Sequence, residues 1–202
     1  MQNAESHHTD EKLVDEFKAG SMEAMEKIVA RYERPLFTFG MKMCGQRQDA
    51  EDVAQDTFMS AFRYLDRFRG ETKLKNWLFK IAARACIKKR RKKKAEPDRL
   101  LSLDMPAEDD GNGNRYDIPD WSNDPSDKML NTELKGIIDT ATRSLPHKYR
   151  LVFTLRDVQE FSTQETADIL DITVQSVKTR LHRARLFLRE KISDLYKEAK
   201  HP

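Results

Sequence analysis

The chain has few of the residues that build turns and sheets, and it lacks a long apolar run. Its 202 residues include seven glycines and seven prolines, while Lys, Arg, Glu, Leu and Ala are abundant. That composition favours an all-helical protein. Because no run of about eighteen or more apolar residues exists, we expect no membrane insertion. The N-terminal MQNAESHHTDEK also lacks the apolar core of a signal peptide, so the sequence predicts a cytoplasmic protein.

Cysteine is nearly absent as well. Cys44 and Cys86 stand alone, without the CxxC or Cys/His spacing of a zinc site or the density of a disulfide framework. We expect two half-buried thiols that stay reduced in the cytosol. Paired catalytic carboxylates, P-loop glycines and a Cys/His dyad are also missing. The sequence therefore predicts neither an enzyme nor a bound cofactor or metal.

Charge is unevenly distributed although the net charge is only +3. Residues 1–94 carry 21 Lys or Arg against 14 Asp or Glu, and residues 134–202 carry 13 against 9. Residues 95–133 reverse the balance, with 3 against 11. Two basic modules therefore flank an acidic segment, and a basic surface on a helical module is typical of proteins that bind nucleic acid.

The acidic segment also loses helical periodicity and gathers prolines and glycines between residues 95 and 125, which indicates a linker. We predict a disordered tail at 1–10, a first domain at 11–94 and a second at 126–202. The fold class is accordingly all-α, with two small helical domains joined by a flexible acidic linker. We expect the two domains to form separate lobes, each with its own core.

Apolar spacing predicts four helices in the first domain. A short helix covers 12–17, and Ser21 caps a second that ends at Gly45, with a kink or restart at Pro35. A third helix starts at Asp49, with acidic residues in its first turns, where the helix dipole favours them. Its predicted buried side comprises Val53, Phe58, Ala61, Phe62 and Leu65. The fourth helix starts near Asn76.

The fourth helix ends in a dense basic run. RACIKKRRKKK, residues 84–94, has eight Lys or Arg in eleven positions. It follows a loop and helix that contain Phe68, Trp77 and Phe79, and aromatic rings beside cations are how proteins grip single-stranded nucleic acid. The alternatives are a solvated helix end and a nonspecifically sticky tail, and Trp77 fits a core position better than a base-stacking one.

The second domain contains a helix-turn-helix pattern, TQETADILDITVQSVKTRLHRA. Ala167 lets its two helices approach, and Asp171 takes the left-handed turn position that glycine usually fills. An apolar stripe runs along the second helix at Val174, Val177, Leu181, Ala184, Leu188 and Ile192. Because that stripe packs against protein, the basic face of the helix is free to enter a major groove. The residues directed towards base edges are Lys178, Thr179, His182 and Arg183. Those directed towards phosphates are Arg180, Arg185 and Arg189. A coiled-coil seam is the alternative.

These segments together resemble a known family. DAEDVAQDTFMSAFRYLDRFRGETKLKNWLFKIAARACIKKRRK is similar to region 2, and LPHKYRLVFTLRDVQEFSTQETADILDITVQSVKTRLHRARLFLREKI to region 4, of the extracytoplasmic-function group of bacterial sigma-70-type initiation factors. Both segments occur in the family's order, across residues 10 to 195. The resemblance implies a factor that directs promoter-specific transcription initiation by binding core RNA polymerase, recognising the −35 and −10 elements and aiding promoter melting.

The resemblance also implies roles for individual residues. The surface for the clamp helices of the polymerase β′ subunit falls on Asp52, Gln55, Asp56 and Phe58. The loop from Arg69 to Asn76 corresponds to the element that captures a flipped −10 base, and the −10 set is Phe68, Arg69, Lys73, Asn76, Arg84 and Lys88. Many members carry asparagine at the position of Arg84, and this departure bears on the preferred base. The −35 set is Ser176, Lys178, Thr179, Arg180, His182 and Arg183.

Implied partners are core polymerase, promoter DNA and an anti-sigma protein. The linker would thread through polymerase, where its acidic charge mimics nucleic acid; the alternative is a merely soluble tether. Two rival functions fit part of the pattern. A dimeric helix-turn-helix regulator that binds a palindromic operator leaves the region 2 pattern unexplained, and a nucleic-acid-processing enzyme lacks a catalytic constellation.

Overall fold

The computed structural model describes residues 2–93 and 125–200, and helices joined by short turns and loops make up both ranges. No strand occurs in those ranges, and the all-α prediction is confirmed. The first half contains α1 (Gln2–Lys18), α2 (Met22–Cys44), α3 (Arg47–Tyr64), a 3-10 turn (Leu65–Arg67) and α4 (Leu74–Lys93). The second half contains α5 (Pro125–Ser144), α6 (His147–Phe153) with a π-helical turn (Thr154–Val158), α7 (Thr163–Leu170) and α8 (Val174–Lys200).

The predicted linker, apart from its last residue, lies outside the described residues. The domain limits on either side of it therefore stay predictions. Within the described ranges, no helix is both long and apolar enough to cross a membrane.

Helix α2 has the predicted ends but not the predicted interruption. Ser21 Oγ accepts a hydrogen bond from the Ala24 N–H at 3.3 Å, and Gly45 closes the helix in the left-handed conformation with φ of 74°. The helix runs unbroken through Pro35. An internal proline costs roughly 3 kcal/mol, and the fully buried Leu36 and Phe39 that follow it show that packing outweighs this cost.

Helix α1 extends beyond its predicted limits. It begins at Gln2, so helical structure covers the stretch that the sequence predicts as a disordered tail. The Asp10 carboxylate is only 4% exposed and accepts hydrogen bonds from Arg31 and the Tyr32 hydroxyl of α2. Burial and the bond to this carboxylate raise the pKa of Tyr32. A buried polar anchor of this kind leaves no trace in apolar periodicity.

Helix α3 buries most of its predicted face. Val53, Ala61 and Leu65 are buried and Phe58 is half-buried against the core. Phe62 is the exception, because its side chain is 45% exposed. Its ring lies edge-on to Phe17 with the centroids 5.8 Å apart, so it covers the rim of the α1 contact and does not enter the core.

The second half builds the predicted helix-turn-helix core. Val177 and Leu181 of α8 are buried with Val152 and Ala167, and a neighbouring cluster joins Ala184 and Leu188 to α5 and α6. Val174, Leu170 and Ile172 pack against the edge of the first of these clusters. The apolar stripe of α8 therefore packs within the domain, and a coiled-coil seam is not needed to explain it.

Each half has a core of its own, as predicted, but the two halves also pack against each other. Four residues of the second half belong to the same hydrophobic cluster as the buried residues of α1 to α4; they are Leu151, Leu155, Phe161 and Ile169. Charged contacts surround this shared cluster, among them Lys42 with Asp139 and the Arg150 guanidinium with the Met43 carbonyl. Apolar complementarity between two distant segments cannot be seen in the periodicity of either one.

Candidate nucleic-acid interface

The −35 candidates lie on the outward side of α8. Lys178 and His182 are exposed, and Ser176, Thr179, Arg180 and Arg183 are partly exposed. The helix starts with a Thr173 side-chain cap, whose Oγ1 accepts a hydrogen bond from the Ser176 N–H at 3.1 Å. Since one face is buried at Val177, Leu181 and Ala184, the six candidates lie around the accessible side of the helix.

The turn before α8 is as predicted. Asp171 has φ of 53° and ψ of 47°, the left-handed conformation. Helix α7 starts with a capping box, in which Ser162 Oγ accepts from the Glu165 N–H at 3.1 Å and Glu165 Oε2 accepts from the Ser162 N–H at 2.9 Å. Arg185, predicted to reach phosphate, instead forms a bidentate ion pair with Asp157 at 3.0 and 2.9 Å.

The polymerase-binding candidates lie in the middle of α3. Asp52, Gln55 and Asp56 are exposed, whereas Phe58 is half-buried against the core. Lys89 of α4 lies 2.5 Å from a carboxylate oxygen of Asp52 and 3.0 Å from one of Asp49. The acidic surface is therefore partly neutralised from within the same domain.

Two apolar residues extend this surface, and the sequence analysis missed their exposure. Met59 is 49% exposed and Phe62 is 45% exposed. Their positions follow Gln55 at steps of four and three, which places all three on one helix face. The signal was present in the spacing, but Phe62 was assigned to the buried side.

The loop after α3 places its aromatic residue against the domain. The Phe68 ring packs on Trp77 with centroids 5.3 Å apart, and its carbonyl accepts a hydrogen bond from Lys18 Nζ at 2.7 Å. Trp77 is half-buried against the core, as predicted. Arg69 is exposed beside Gly70, whose φ of 72° is the left-handed turn conformation.

Two −10 candidates meet a carboxylate of the second half. Lys73 Nζ lies 3.0 Å from Glu165 Oε1, and Asn76 also hydrogen-bonds Glu165. Burial alone would raise the pKa of Glu165, but hydrogen bonds from Ser162, Lys73 and Asn76 outweigh it and lower this pKa to about 2. The Glu165 side chain thus caps its own helix and at the same time binds two of the −10 candidates, Lys73 and Asn76.

A second carboxylate engages α4 one turn further along. Asp171 lies 2.5 Å from Lys80 Nζ and 3.0 Å from an Arg84 guanidinium nitrogen. Lys80 also donates to the Asp168 carbonyl at 3.1 Å. Hydrogen bonds from Lys80 and Arg84 lower the pKa of Asp171. Lys88 lies on the exposed side of α4, one turn beyond Arg84.

An aromatic residue joins the two halves between these ion pairs. Phe161 is 2% exposed and meets Phe79 edge-on with centroids 4.9 Å apart. Lys75 Nζ lies 4.6 Å from the Phe161 centroid and donates to the Gln159 carbonyl at 3.2 Å. Burial lowers the pKa of Lys75. Glu160 holds this turn with φ of 59°, an unfavourable value for a non-glycine residue.

Sequence reasoning missed this contact between the halves. The available signal was an apolar residue, Phe161, immediately before the Ser162 cap, a position whose side chain usually packs. The structure therefore brings Lys73, Asn76 and Arg84 together with α7 and its turn, while the −35 candidates lie on α8. Among the residues that the structure describes, no group of three or more His, Cys, Asp or Glu side chains is arranged to hold a metal.

Comparison with known proteins agrees with the two-part organisation. Residues 28–96 match the family model for sigma-70 region 2, and residues 135–188 match the model for sigma-70 region 4. The chain thus has both parts of a sigma-70-type factor, in order.

Two relatives that are similar over nearly the whole chain identify the group of sigma factors to which it belongs. The chain is 35% identical to the ECF RNA polymerase sigma factor SigW of Bacillus subtilis over 184 residues, covering 91% of this chain and 97% of that protein. It is 31% identical to the ECF RNA polymerase sigma-E factor of Haemophilus influenzae over 190 residues, covering 93% and 97%. The chain belongs to the ECF RNA polymerase sigma factors.

Solved structures show the same fold at lower identity. CnrH in complex with the cytosolic domain of CnrY has a TM-score of 0.61 at 22% identity, covering 94% of this chain and 98% of that one. The sigma factor RpoE of Bartonella quintana in complex with the anti-sigma factor NepR has a TM-score of 0.60 at 23% identity, covering 83% and 96%.

Proposed function

We propose that the chain directs core RNA polymerase to promoters whose −35 element is read by α8 and whose unpaired −10 strand is held by the loop and helix from Phe68 to Lys88. The chain performs no chemistry itself and acts in the cytoplasm. Residues 11–94 serve as region 2, 95–125 as the linker and 126–202 as region 4. One observation carries this proposal. A member of the family has two basic surfaces, one on α8 of the helix-turn-helix and a second, with aromatic rings beside it, from Phe68 to Lys88.

The assignment of the −35 contacts rests on the geometry of α8. Its buried stripe fixes the helix rotation, so that Lys178, His182 and Arg183 share the side directed away from the core. Arg and Lys recognise guanine by two hydrogen bonds in the major groove, and each good pair contributes about 1–3 kcal/mol of discrimination. Thr179 also faces the base edges, while Ser176 and Arg180 flank these residues and contact the DNA backbone.

The assignment of the −10 contacts rests on charge and ring placement. Lys73, Arg84 and Lys88 follow one edge of region 2, and the Phe68 and Trp77 rings lie beside it. Flipping a base costs a few kcal/mol, which phosphate and pocket contacts must offset. In the structure Lys73 is paired with Glu165 and Arg84 with Asp171; we call this paired arrangement the closed form. Because the same two cations bind the strand in this proposal, strand binding requires α7 to move away from α4.

Core polymerase binds the middle of α3 in this proposal. Asp52, Gln55 and Asp56 offer exposed polar groups, and Met59 adds an exposed apolar side chain to the same helix. Phe58 supports this surface from beneath, since it packs against the core. An anti-sigma protein is the further partner, by analogy with the relatives whose structures were solved with CnrY and NepR.

Run-off transcription tests the function as a whole. Purified core polymerase is incubated with a promoter library, with and without the chain. We expect transcripts of defined start only when both are present. Activity of the chain on DNA without polymerase would support a processing enzyme, and operator binding by a dimer without transcripts would support a regulator.

A residue-level test separates DNA reading from polymerase binding. We expect Arg183→Ala to weaken initiation while leaving affinity for core polymerase intact, because Arg183 lies on α8 whereas the polymerase-binding candidates lie on α3. Lys197→Ala, near the other end of α8, is the matched control and should leave initiation unchanged. Equal loss of polymerase affinity in the Arg183 variant would reject the −35 assignment.

A further inference from the structure

The two cysteines, which sequence spacing leaves unrelated, meet at one cavity. Cys44 ends α2 and Cys86 lies in α4. Both line a cavity of about 240 Å³, together with Met43, Asp49, Lys89, Arg90, His147 and Arg150. Cys86 is buried, with 2% exposure, whereas Cys44 is half-buried. Cys44 is therefore the more accessible of the two thiols.

The two thiols also interact directly. A hydrogen bond to Cys44, reinforced by burial, raises the pKa of Cys86. The raised pKa keeps Cys86 in its S–H form, which can donate to Cys44. A thiolate is the reactive form of cysteine, and a neighbouring donor or cation favours it. At Cys44 the S–H of Cys86 supplies the donor.

Cations that line the cavity also favour a thiolate at Cys44. Burial and repulsion from Arg90 lower the pKa of Arg150, and negative charge on Cys44 opposes that change. Arg150 and a Cys44 thiolate therefore stabilise each other. Asp49 is the one carboxylate among the residues that line this cavity, and Lys89 neutralises it at 3.0 Å.

We propose that Cys44 and Cys86 form a reversible dithiol–disulfide site that reacts with hydroperoxides. The Cys44 thiolate attacks a peroxide oxygen: an S–O bond forms, the O–O bond breaks, and the departing alkoxide or hydroxide takes up a proton. Cys86 then attacks the Cys44 sulfenic sulfur, which forms the S–S bond and releases water. The two thiols lose two electrons and the peroxide gains them, and an external dithiol reverses the reaction by exchange.

The site lies where a new bond would alter a contact between the halves. Met43, the neighbour of Cys44, accepts a hydrogen bond from Arg150 at 3.0 Å. Gly45 follows with φ of 74° and allows the end of α2 to adjust. A disulfide has an S–S length of about 2.05 Å, so oxidation must draw the end of α2 towards α4. Both ends of the bond lie in region 2, and this proposal does not depend on the promoter contacts proposed above.

Mass spectrometry of the intact full-length chain tests the site. The reduced protein is treated with hydrogen peroxide, quenched and analysed under non-reducing conditions. We expect a monomer lighter by about 2 Da with no titratable thiol after denaturation, restored by dithiothreitol. Unchanged mass with two titratable thiols would overturn the proposal, as would disulfide-linked dimers or stepwise gain of oxygen.

Single variants test the order of the two cysteines. In Cys86→Ala the sulfenic acid on Cys44 has no resolving thiol, so dimedone should label Cys44. Under the same treatment Cys44→Ala should show little labelling, because Cys86 is buried and lacks its acceptor. Preferential labelling of Cys86 would overturn the assigned order. Circular dichroism identifies a variant that fails to fold, and the wild-type mass change decides the proposal in that case.

Discussion

Removing the two carboxylates that hold the −10 candidates should strengthen binding of single-stranded DNA by the free chain. The double variant Glu165→Gln, Asp171→Asn deletes both charges with little other change. Glutamine at the third position of a helix preserves a capping box, and asparagine tolerates the left-handed conformation that Asp171 adopts. The variant therefore changes the contact between the halves while retaining α7 and its turn.

The size of the effect follows from three ion pairs. Lys73–Glu165 at 3.0 Å, Lys80–Asp171 at 2.5 Å and Arg84–Asp171 at 3.0 Å are all partly exposed. Exposed pairs contribute about 0.2–1 kcal/mol each. Their loss destabilises the closed arrangement by about 1–2 kcal/mol, and about 1.4 kcal/mol corresponds to a tenfold change in an equilibrium constant. The affinity for a −10 strand should rise about tenfold, because the closed form competes with binding.

Fluorescence anisotropy of a labelled single-stranded −10 oligonucleotide measures this affinity without polymerase. The matched control is Glu23→Gln, Glu51→Gln, which removes two carboxylates from i,i+4 pairs away from the contact. Both double variants raise the net charge equally, so general attraction to DNA is the same. An unchanged affinity, or an equal gain in the control, would refute the reasoning.

Three further outcomes are expected. Tyr32→Phe should lower the unfolding free energy by about 1–3 kcal/mol in urea titrations, since the buried Asp10 loses a donor, whereas the exposed Tyr64→Phe should not. The pKa of Glu165 is lowered from 4.5 to about 2, so its stabilisation is present above about pH 4.5 and lost as pH falls through about 2; urea midpoints should drop more in wild type than in Glu165→Gln. Lys88→Ala should reduce the slope of log affinity against log salt on duplex DNA by about 0.9, provided that it contacts one phosphate.

Local patterns made much of the fold predictable. The stripe of α8 recurs at helical steps, so its buried side at Val177, Leu181 and Ala184 followed from spacing alone. Ser21, Gly45 and Asp171 mark helix ends because the required backbone or side-chain chemistry is specific to few residue types. The positions of the −35 candidates follow directly, since burial of one face exposes the other.

Contacts between distant segments were not predictable in the same way. Phe161 with Phe79, Glu165 with Lys73 and the pairing of Cys44 with Cys86 each join residues far apart in sequence. Periodicity reports which face of a helix is buried but not which partner covers it. Lys73 and Arg84 were therefore assigned to DNA, although the structure pairs them with Glu165 and Asp171.

Footprinting of an open complex tests most directly whether the chain holds two separated promoter elements while polymerase performs the catalysis. Permanganate detects unpaired thymines and DNase I detects protected duplex on the same template. We predict thymine reactivity near −10 and protection near −35 only when chain and core polymerase are both present, with −35 protection lost in Arg183→Ala. Protection of a palindromic site by the chain alone, without unpaired thymines when polymerase is added, would contradict the account.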